Sequence, residues 1–194
     1  GDRVNTWITL NEPWVVAHNG HTTGEHAPGI RNPATALEVA HTLNIAHAHA
    51  VSLFRSEFAG SGSIGITLSL SPTYPLTDED HDAALIADGH HNRWFLDPVF
   101  RGSYPDDMVE LYTALGWAPE VAEGDMEIIG AASIDFLGVN YYMRQLVARS
   151  STQPLGFKAV IPDDAQITEM GWEVYPEGLH AILTRLHRDY DAPE

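Results

Sequence analysis

A carboxyl group and an amide group follow directly on an apolar, strand-like run of the sequence. Glu12 and Asn11 come immediately after residues 4–10, which are rich in β-branched and aromatic side chains. At the C-terminal end of a buried strand, partial desolvation favours the protonated form of a carboxyl group, which is the form that a general acid requires. Asn11 offers a donor and an acceptor to a bound hydroxyl group. The same residues also fit a structural role, in which Glu12 only caps or forms a salt bridge where the strand meets a loop.

A second polar run stands in the same position after another apolar segment. Asn140, Tyr141 and Tyr142 follow residues 134–139. A tyrosine hydroxyl there can hydrogen-bond and orient a neighbouring carboxylate, while the amide of Asn140 fixes another polar partner. On these residues alone, an aromatic pair that packs at the rim of a sheet explains the run better.

The elements that must position these side chains alternate between strands and helices. Three strands are predicted from apolar runs at residues 4–10, 64–70 and 134–142. Apolar residues at spacings of three and four between Leu37 and Phe54 predict a helix that starts at Asn32-Pro33. The Gly/Ser run at residues 60–63 is the stop signal of this helix. Further helices are predicted at residues 78–100, 105–115 and 176–190. Two short strands joined by a turn are predicted within residues 144–161. Helical segments between apolar strands are typical of an α/β fold whose parallel strands are buried on both faces.

An open doubly wound sheet and a closed eight-stranded barrel both fit this pattern. The chain contains no phosphate-binding G-x-x-x-x-G-K-[ST] loop, and we predict no cofactor. A complete barrel takes ~250 residues and eight strands, so a chain of 194 residues with three strong strands fits a barrel only in part. Because the chain starts at Gly1 and stops just after a helical pattern, we expect both ends to be cuts through a larger domain. We predict one incomplete domain over residues 1–194, without an internal boundary.

The composition excludes several classes of partner. Ten Lys and Arg residues against 27 Asp and Glu residues give a formal net charge of −17. This charge argues against nucleic acid, which needs a basic footprint, and more weakly against anionic membranes and phosphorylated substrates. The absence of cysteine excludes disulfides, thiolate metal sites and cysteine nucleophiles. No signal-peptide pattern is present, from which we predict a cytoplasmic protein, although its natural start is expected to be missing.

The 11 histidines of the chain do not predict a metal site. His41, His47 and His49 fall on different faces of the predicted helix, since offsets of six and two positions turn the side chains apart. We therefore expect no metal.

Five motifs, in order along the chain, resemble those of glycoside hydrolase family 1. They are TLNEPW at residues 9–14, GEHAPG at 24–29, FLDP with GSYP at 95–98 and 102–105, FLGVNYY at 136–142, and MGWEVYPEG at 170–178. The resemblance covers essentially the whole chain. It implies the family's (β/α)₈ barrel and the hydrolysis of β-glycosides with retention, chiefly of β-glucosides and β-galactosides. The implied fold class is α/β, a partial TIM barrel from about the fourth strand to the helix before the seventh strand.

The resemblance also implies roles for single residues. Glu12 is similar to the family's general acid/base, and Asn11 to the amide that holds the sugar 2-hydroxyl. Tyr142 resembles the residue that hydrogen-bonds the nucleophilic carboxylate, and Asn140, close by, is expected to bind substrate. Trp172 resembles the aromatic platform beside the leaving group, and His26 resembles a residue that lines the same side. The implied substrate is a β-glycoside or an oligosaccharide.

One carboxyl group is not assigned as the nucleophile in spite of its neighbours. Residues 167–171 read ITEMG, whereas the family's nucleophile lies in Ile/Val-Thr-Glu-Asn-Gly. Met170 replaces the asparagine and no apolar strand precedes the segment, so we predict that Glu169 lies in a loop. The nucleophile is then expected shortly beyond Glu194, and the chain by itself is expected to have no glycosidase activity.

Two alternative functions stay open. The first is a catalytically silent carbohydrate-binding relative on the same fold, against which the presence of Glu12 argues. The second is a relative that cleaves 6-phospho-β-glycosides, whose phosphate-binding loop is expected in a later part of the family's fold. The net charge of −17 favours neutral sugars over phosphorylated ones.

Overall fold

The structure of the protein, a computed structural model, describes residues 3–58 and 62–192. Its strands are β1 Thr6–Asn11, β2 Ser63–Ser69, β3 Thr73–Pro75, β4 Phe136–Asn140, β5 Gln145–Arg149 and β6 Phe157–Val160. Its α-helices are α1 Pro13–His21, α2 Pro33–Glu57, α3 His81–Asp88, α4 Trp94–Arg101, α5 Asp106–Ala114, α6 Asp125–Gly130 and α7 Glu177–Tyr190. A 3₁₀-helix spans Asp78–Asp80 and a π-helix spans Gly89–Arg93.

The chain forms two compact units, each made of segments that are separate in the sequence. Of the described residues, the first unit contains 3–58, 62–69, 94–140 and 192, and the second contains 70–93 and 141–191. Each unit holds its own three-stranded sheet. No single position in the sequence separates the two units.

The sheet of the first unit has three parallel strands in the order β1-β2-β4. Ile8 on β1 pairs with Gly65 on β2, and Ser69 at the end of β2 pairs with Asn140 at the end of β4. Because the strands run in the same direction, their carboxyl ends lie at one edge of the sheet. The predicted strands and their parallel arrangement are confirmed.

Burial differs between these strands. β2 lies in the centre and is buried from Ile64 to Ser69. β1 is mostly exposed, and the side chain of Ile8 is 53% exposed. The prediction of burial on both faces is therefore wrong for β1, because within the described residues this strand has a neighbour on one side only.

Helix α2 covers one face of β2. Asn32 caps this helix, since its side-chain oxygen accepts hydrogen bonds from the backbone N–H groups of Ala34 and Thr35 at 3.0 and 3.3 Å. A core cluster joins the helix to β2 and to the end of α6; its buried members are Ala48, Val51, Ile64, Ile129 and Ala132. The predicted start and apolar stripe of the helix are confirmed, except that Ala50 on the stripe is exposed.

Several elements differ from the predictions. Helix α1 was not predicted, because its apolar residues are spread around the helix and form no stripe. Strand β3 and helix α6 were missed as well, since three and six residues are too few to show a periodicity. The single helix predicted at residues 78–100 is divided by the π-helix. Gly60 and Ser61 of the predicted stop signal lie outside the described residues.

One glycine-rich run has the spacing of a dinucleotide-binding turn. Residues 60–65 read GSGSIG, which is G-x-G-x-x-G. That turn requires a strand before it and a helix after it, whereas this run follows α2 and its last three residues already belong to β2. The order of the elements is therefore the wrong one for nucleotide binding.

The second unit is built on a smaller sheet, in the order β3-β5-β6. β3 and β5 are parallel, and β5 and β6 form an antiparallel hairpin with Gly156 at φ +76° in its turn. Helix α3 packs on this sheet, and the buried members of the contact are Ala83, Ala84, Ala87 and Val147. The predicted pair of short strands and its turn are confirmed.

Helix α7 belongs to the same unit and is held by a buried carboxylate. Asp88, at the end of α3, accepts hydrogen bonds from both terminal nitrogens of the Arg185 guanidinium group on α7. The helix predicted at residues 176–190 is confirmed. Of its apolar residues, Ile182 and Leu186 are buried, whereas Leu179 and Leu183 are exposed.

No helix within residues 3–58 and 62–192 is long and apolar enough to cross a membrane. In the same residues, no three His, Asp or Glu side chains come together in a group that could hold a metal ion. His41 instead hydrogen-bonds the Tyr104 hydroxyl and Asp125 of the first unit.

Candidate active site

A β-bulge places Asn11 at the end of β1. Ile8 pairs with Gly65 and Asn11 pairs with Thr67, so three steps along β1 correspond to two steps along β2. Since Gly65 and Thr67 share a face of the sheet, the extra residue turns Asn11 onto the same face as Ile8. Without the bulge, the odd spacing puts the two side chains on opposite faces. The register therefore aims Asn11 in a way that a regular strand does not.

Glu12 adopts a backbone conformation that is rare for a residue with a side chain. Its φ and ψ angles are 53° and 61°, in the left-handed region, which costs about 1–2 kcal/mol for a residue other than glycine. Its N–H donates a hydrogen bond of 2.8 Å to the carbonyl oxygen of Thr67, and its carbonyl accepts one of 3.2 Å from Val16 in helix α1. Such strain persists where the surroundings hold the residue in place, and it clusters at functional sites.

Asn140 joins the ends of two strands that are not neighbours in the sheet. It is the last residue of β4, and its side-chain N–H₂ group donates one hydrogen bond of 2.8 Å to Glu12 Oε1 and one of 3.1 Å to Asn11 Oδ1. Glu12 and Asn140 are half-buried and Asn11 is exposed. The three side chains form an amide–carboxyl cluster, Asn11–Glu12–Asn140, at the carboxyl edge of the first unit's sheet.

The structural reading of Glu12 as a helix cap is not supported. Glu12 stands at the N-cap position of α1, but its side chain makes no capping hydrogen bond to this helix, all of whose residues are described. Its carboxyl group is turned to Asn140 instead. The cluster thus presents a carboxyl group that one amide orients, beside a second amide that can bind a hydroxyl group.

Glycine at position 138 permits the close approach of β4 to β2. Gly138 pairs with Thr67, and a Cβ atom at this position would lie 2.2 Å from the Thr67 hydroxyl oxygen. The strands can lie at their observed spacing only because this residue has no side chain. Gly138 therefore helps to bring Asn140, two positions further on, to its place.

In the second unit, Tyr142 and Trp172 form an aromatic pair. Their ring centroids lie 4.9 Å apart at an interplanar angle of 50°. Tyr142 is 47% exposed and Trp172 is half-buried, so both rings are within reach of a ligand. Glu169 lies in an exposed turn three positions before Trp172, which confirms its predicted place in a loop.

An ion pair that the sequence analysis did not single out lies beside these rings. Arg144 donates two hydrogen bonds of 2.8 Å each to the two carboxyl oxygens of Glu173. This pairing raises the pKa of Arg144. The signal that could have indicated it is the run Trp172-Glu173-Val174-Tyr175, in which one charged residue stands among apolar and aromatic neighbours.

Tyr141 has different surroundings from its neighbour Tyr142. Its hydroxyl group donates a hydrogen bond to the carbonyl oxygen of Tyr175, and burial raises its pKa to about 12. A Cβ atom at Gly178 would lie 2.0 Å from the Tyr141 hydroxyl oxygen, so a glycine is required there. Of the two tyrosines, Tyr141 is a packing residue.

His26 lies exposed in the loop between α1 and α2. Its backbone N–H donates to the carbonyl oxygen of Asn19 at 3.0 Å, and its carbonyl accepts from Gly29 at 2.8 Å. The hydrogen bonds of the Asn140 amide reach Glu12 and Asn11 and do not include this histidine. Of the predicted site residues, the structure thus joins one group of three and one aromatic pair.

Comparison with known proteins shows which family and which solved structures this chain is similar to. The family model described as glycosyl hydrolase family 1 matches residues 1–194. β-Glucosidase A of Acetivibrio thermocellus is 41% identical over 100% of the chain and 44% of its own length. The crystal structure of the family 1 β-glucosidase of Thermotoga maritima superposes with a TM-score of 0.90, at 40% identity, over 100% of this chain and 43% of that one. A 6-phospho-β-galactosidase of Clostridium acetobutylicum is 34% identical over 98% of the chain and 46% of its own length.

The chain belongs to glycoside hydrolase family 1. Its fold is part of the α/β barrel of that family, with two open sheets. It spans less than half the length of the curated relatives that it matches.

Proposed function

We propose that the chain carries the acid/base part of the active site of a retaining β-glycosidase, of the β-glucosidase or β-galactosidase type. The observation that carries the proposal is the hydrogen bond from Asn140 to the carboxyl group of Glu12, at the carboxyl ends of β4 and β1. In barrel enzymes, catalytic side chains come from these ends of the strands. Membership of the family and the β-glucosidase names of the relatives support the proposal.

The proposed reaction uses two carboxyl groups. Protonated Glu12 gives its proton to the glycosidic oxygen while a nucleophilic carboxylate attacks the anomeric carbon, so the C–O bond breaks, an alcohol leaves and a glycosyl-enzyme forms. Glu12, now a carboxylate, takes a proton from water, whose oxygen attacks the same carbon and releases the sugar and the nucleophile. The two carboxyl groups of a retaining enzyme lie ~5–5.5 Å apart.

The other site residues bind and orient in this proposal. Asn11 holds the sugar 2-hydroxyl and Asn140 orients the carboxyl group of Glu12. Tyr142 orients the nucleophilic carboxylate. Trp172 stacks on the leaving group, and its indole ring suits that role because the apolar face of a sugar or an aryl group can pack on it. His26 lines the leaving-group side.

The nucleophile itself is proposed to lie beyond Glu194. In a complete barrel, β1, β2 and β4 then correspond to the fourth, fifth and sixth strands. Since the double displacement needs both carboxyl groups, the 194-residue chain alone is expected to cleave no glycoside.

The test compares the 194-residue chain with the complete polypeptide that contains it. Both are assayed with 4-nitrophenyl β-glucoside and β-galactoside, and the anomeric form of the first product is followed by NMR. The complete polypeptide is expected to release the β-anomer first. In its Glu12→Ala variant, added azide is expected to restore turnover and to give a β-glycosyl azide, because a small anion can take the place of the activated water.

Three outcomes contradict the proposal. Turnover by the 194-residue chain shows that no further nucleophile is needed. First release of the α-anomer excludes retention. Binding of glucosides without turnover by the complete polypeptide identifies a catalytically silent relative.

A second candidate function is the cleavage of 6-phospho-β-glycosides. It is favoured by one observation, the 34% identity to a protein named 6-phospho-β-galactosidase. The net charge of −17 argues against a phosphorylated substrate. Comparison of kcat/KM for 4-nitrophenyl β-galactoside and its 6-phosphate decides between the two candidates.

A further inference from the structure

We infer that the ion pair between Arg144 and Glu173 positions the ring of Trp172, and that it thereby sets the preference of the site for leaving groups with a flat apolar face. The inference rests on the proposed function, in which Trp172 stacks on the leaving group. Arg144 and Glu173 are positioning residues, because they act through Trp172 and do not contact the substrate.

The ion pair has one defined geometry. Glu173 is buried, at 7% exposure, and both of its carboxyl oxygens accept a hydrogen bond of 2.8 Å from Arg144. The Arg144 guanidinium carbon also lies 4.2 Å from the ring centroid of Tyr175, within the range of a cation–π contact. A planar guanidinium group that is paired at two nitrogens and stacked on a ring is held in a single orientation.

The peptide backbone passes this constraint directly to Trp172. Glu173 follows Trp172 in the chain and forms an antiparallel β-bridge with Ile167. The turn between them is closed by Thr168, whose N–H donates to the Trp172 carbonyl at 2.8 Å and whose hydroxyl accepts from the Trp172 N–H at 3.2 Å. Adjacent residues of an extended segment point to opposite sides. Because Arg144 holds the Glu173 side chain in the interior, the Trp172 side chain lies on the opposite side, where its ring packs against Tyr142.

Loss of the arginine is expected to release this arrangement. A buried carboxylate without its cation is costly, so Glu173 turns towards water when Arg144 is removed. The backbone turn that carries Trp172 moves with it. The part of the proposed site that binds the sugar is expected to keep its arrangement, because the amide–carboxyl cluster Asn11–Glu12–Asn140 is made of other residues.

The experiment uses four variants of the complete polypeptide that contains this chain. Arg144→Met removes the ion pair with Glu173. Arg144→Lys keeps the positive charge but loses the bidentate hydrogen bonding, and Trp172→Ala removes the indole ring. Arg149→Met is the matched control, since this arginine of the same unit is 60% exposed and pairs with a 78% exposed Asp82. For each variant we measure KM and kcat with 4-nitrophenyl β-glucoside and with methyl β-glucoside, and the inhibition constant of glucose.

Trp172→Ala and Arg144→Met are expected to raise KM for the aryl glucoside about tenfold. KM for the methyl glucoside and the inhibition constant of glucose should stay within twofold, because neither ligand reaches the indole ring. Arg144→Lys should lie between the wild type and Arg144→Met, and it supplies the answer if the methionine variant does not fold. Arg149→Met should leave all constants unchanged.

A second measurement is independent of catalysis. The acrylamide quenching of Trp172 is separated from that of the other tryptophans as the difference between each protein and its Trp172→Phe derivative. Arg144→Met is expected to raise the quenching constant of this residue about twofold, and Arg149→Met to leave it unchanged.

The outcomes separate the inference from the function on which it rests. Equal KM values and equal quenching in Arg144→Met and Arg149→Met overturn the inference while the proposed function stands. A complete polypeptide that cleaves no glycoside overturns the proposed function and the preference for flat leaving groups, and quenching then still decides whether Arg144 positions Trp172. An active Trp172→Ala variant with unchanged KM for the aryl glucoside removes the indole ring from the leaving-group side and overturns the inference as well.

Discussion

The side-chain nitrogen of Asn140 lies 2.8 Å from Glu12 Oε1, although the two residues are 128 positions apart in the chain. Asn140 ends β4 and Glu12 follows β1, with β2 between the two strands in the sheet. The hydrogen bond therefore crosses the central strand and connects the carboxyl ends of the two outer strands, β1 and β4. A hydrogen bond to one carboxyl oxygen limits the rotation of this group, which is what a proton donor in a fixed direction requires.

Replacement of the carboxyl group tests its proposed part in proton transfer. In the complete polypeptide, Glu12→Gln is expected to lower kcat/KM about 10²–10⁴-fold for glucosides with poor leaving groups, because these depend on general acid catalysis. Substrates with good leaving groups should lose much less in the first step. The measurement is kcat/KM over a series of aryl β-glucosides of increasing phenol basicity. Glu169→Gln, in an exposed turn, is the control. If Glu12→Gln lowers kcat/KM by the same factor for every substrate of the series, Glu12 is not the general acid.

Removal of the orienting amide should weaken the same step. A hydrogen bond to a charged group contributes about 1.5–3 kcal/mol, so Asn140→Ala is expected to lower kcat/KM for poor leaving groups about 10–100-fold. Asn5→Ala, at an exposed position before β1, serves as the control. The same aryl glucoside series measures the effect. A variant that binds glucose less tightly but keeps its full dependence on the leaving group shows that Asn140 binds the sugar and does not orient Glu12.

The contact between Gly138 and Thr67 is open to a double-mutant cycle. Gly138→Ala brings a methyl group to 2.2 Å from the Thr67 hydroxyl oxygen, and overpacking of this kind costs about 1–3 kcal/mol. Thr67→Ala removes that oxygen, so the double variant is expected to recover part of the loss. Urea unfolding of the wild type, both single variants and the double variant measures the coupling free energy. Strictly additive effects show that the two positions do not touch.

Acid should destabilise the fold through the buried side chain of His47. Burial lowers the pKa of His47 to about 4, from an ordinary value of 6.5. Between pH 6.5 and pH 4 the unfolded chain therefore binds a proton that the folded chain does not, and the free energy of unfolding falls as the pH falls through this range. The contribution of this residue is about 3 kcal/mol over the whole range, from ~1.4 kcal/mol for each pKa unit.

The measurement is the free energy of unfolding in urea at several pH values. His47→Gln is expected to reduce the pH dependence, since glutamine keeps a donor for the Thr9 hydroxyl, which lies 2.7 Å from His47 Nδ1, but takes up no proton. His49→Gln, an exposed neighbour on the same helix, is the control. An unchanged slope in His47→Gln shows that other groups cause the acid sensitivity; His91 is one of them, since burial lowers its pKa to about 4 as well.

The strand and helix predictions depended on how much local pattern each element carries. The run Ile64-Gly65-Ile66 was read correctly as part of a central strand, because a strand buried by its neighbours is apolar almost throughout. Asn32 was read correctly as a helix start, because its side chain satisfies N–H groups only two and three residues away. Helix α6 was missed, because six residues make too few turns to show a stripe. The division of the helix at Gly89–Arg93 was missed, because an apolar pattern does not distinguish a π-helical turn from an α-helical one.

The candidate site was predicted as a set of residues but not as an arrangement. Sequence motifs identified Glu12 and Asn140 separately, and nothing in either motif states that the amide of one binds the carboxyl group of the other. Arg144 and Glu173 were not found at all, because a charged pair 29 positions apart leaves no periodic trace. Both pairs depend on which segments pack together.

The sequence by itself determined the family, the parallel strands and the types of side chain at their ends. Apolar runs, helix caps and motifs each consist of residues that lie close together in the chain, so they can be recognised without the tertiary structure. The tertiary structure alone decided the bulge that aims Asn11, the left-handed backbone of Glu12 and the pairing of Arg144 with Glu173. These features follow from strand register and from contacts between distant segments, and their free energy comes from pairing that no single segment can form on its own.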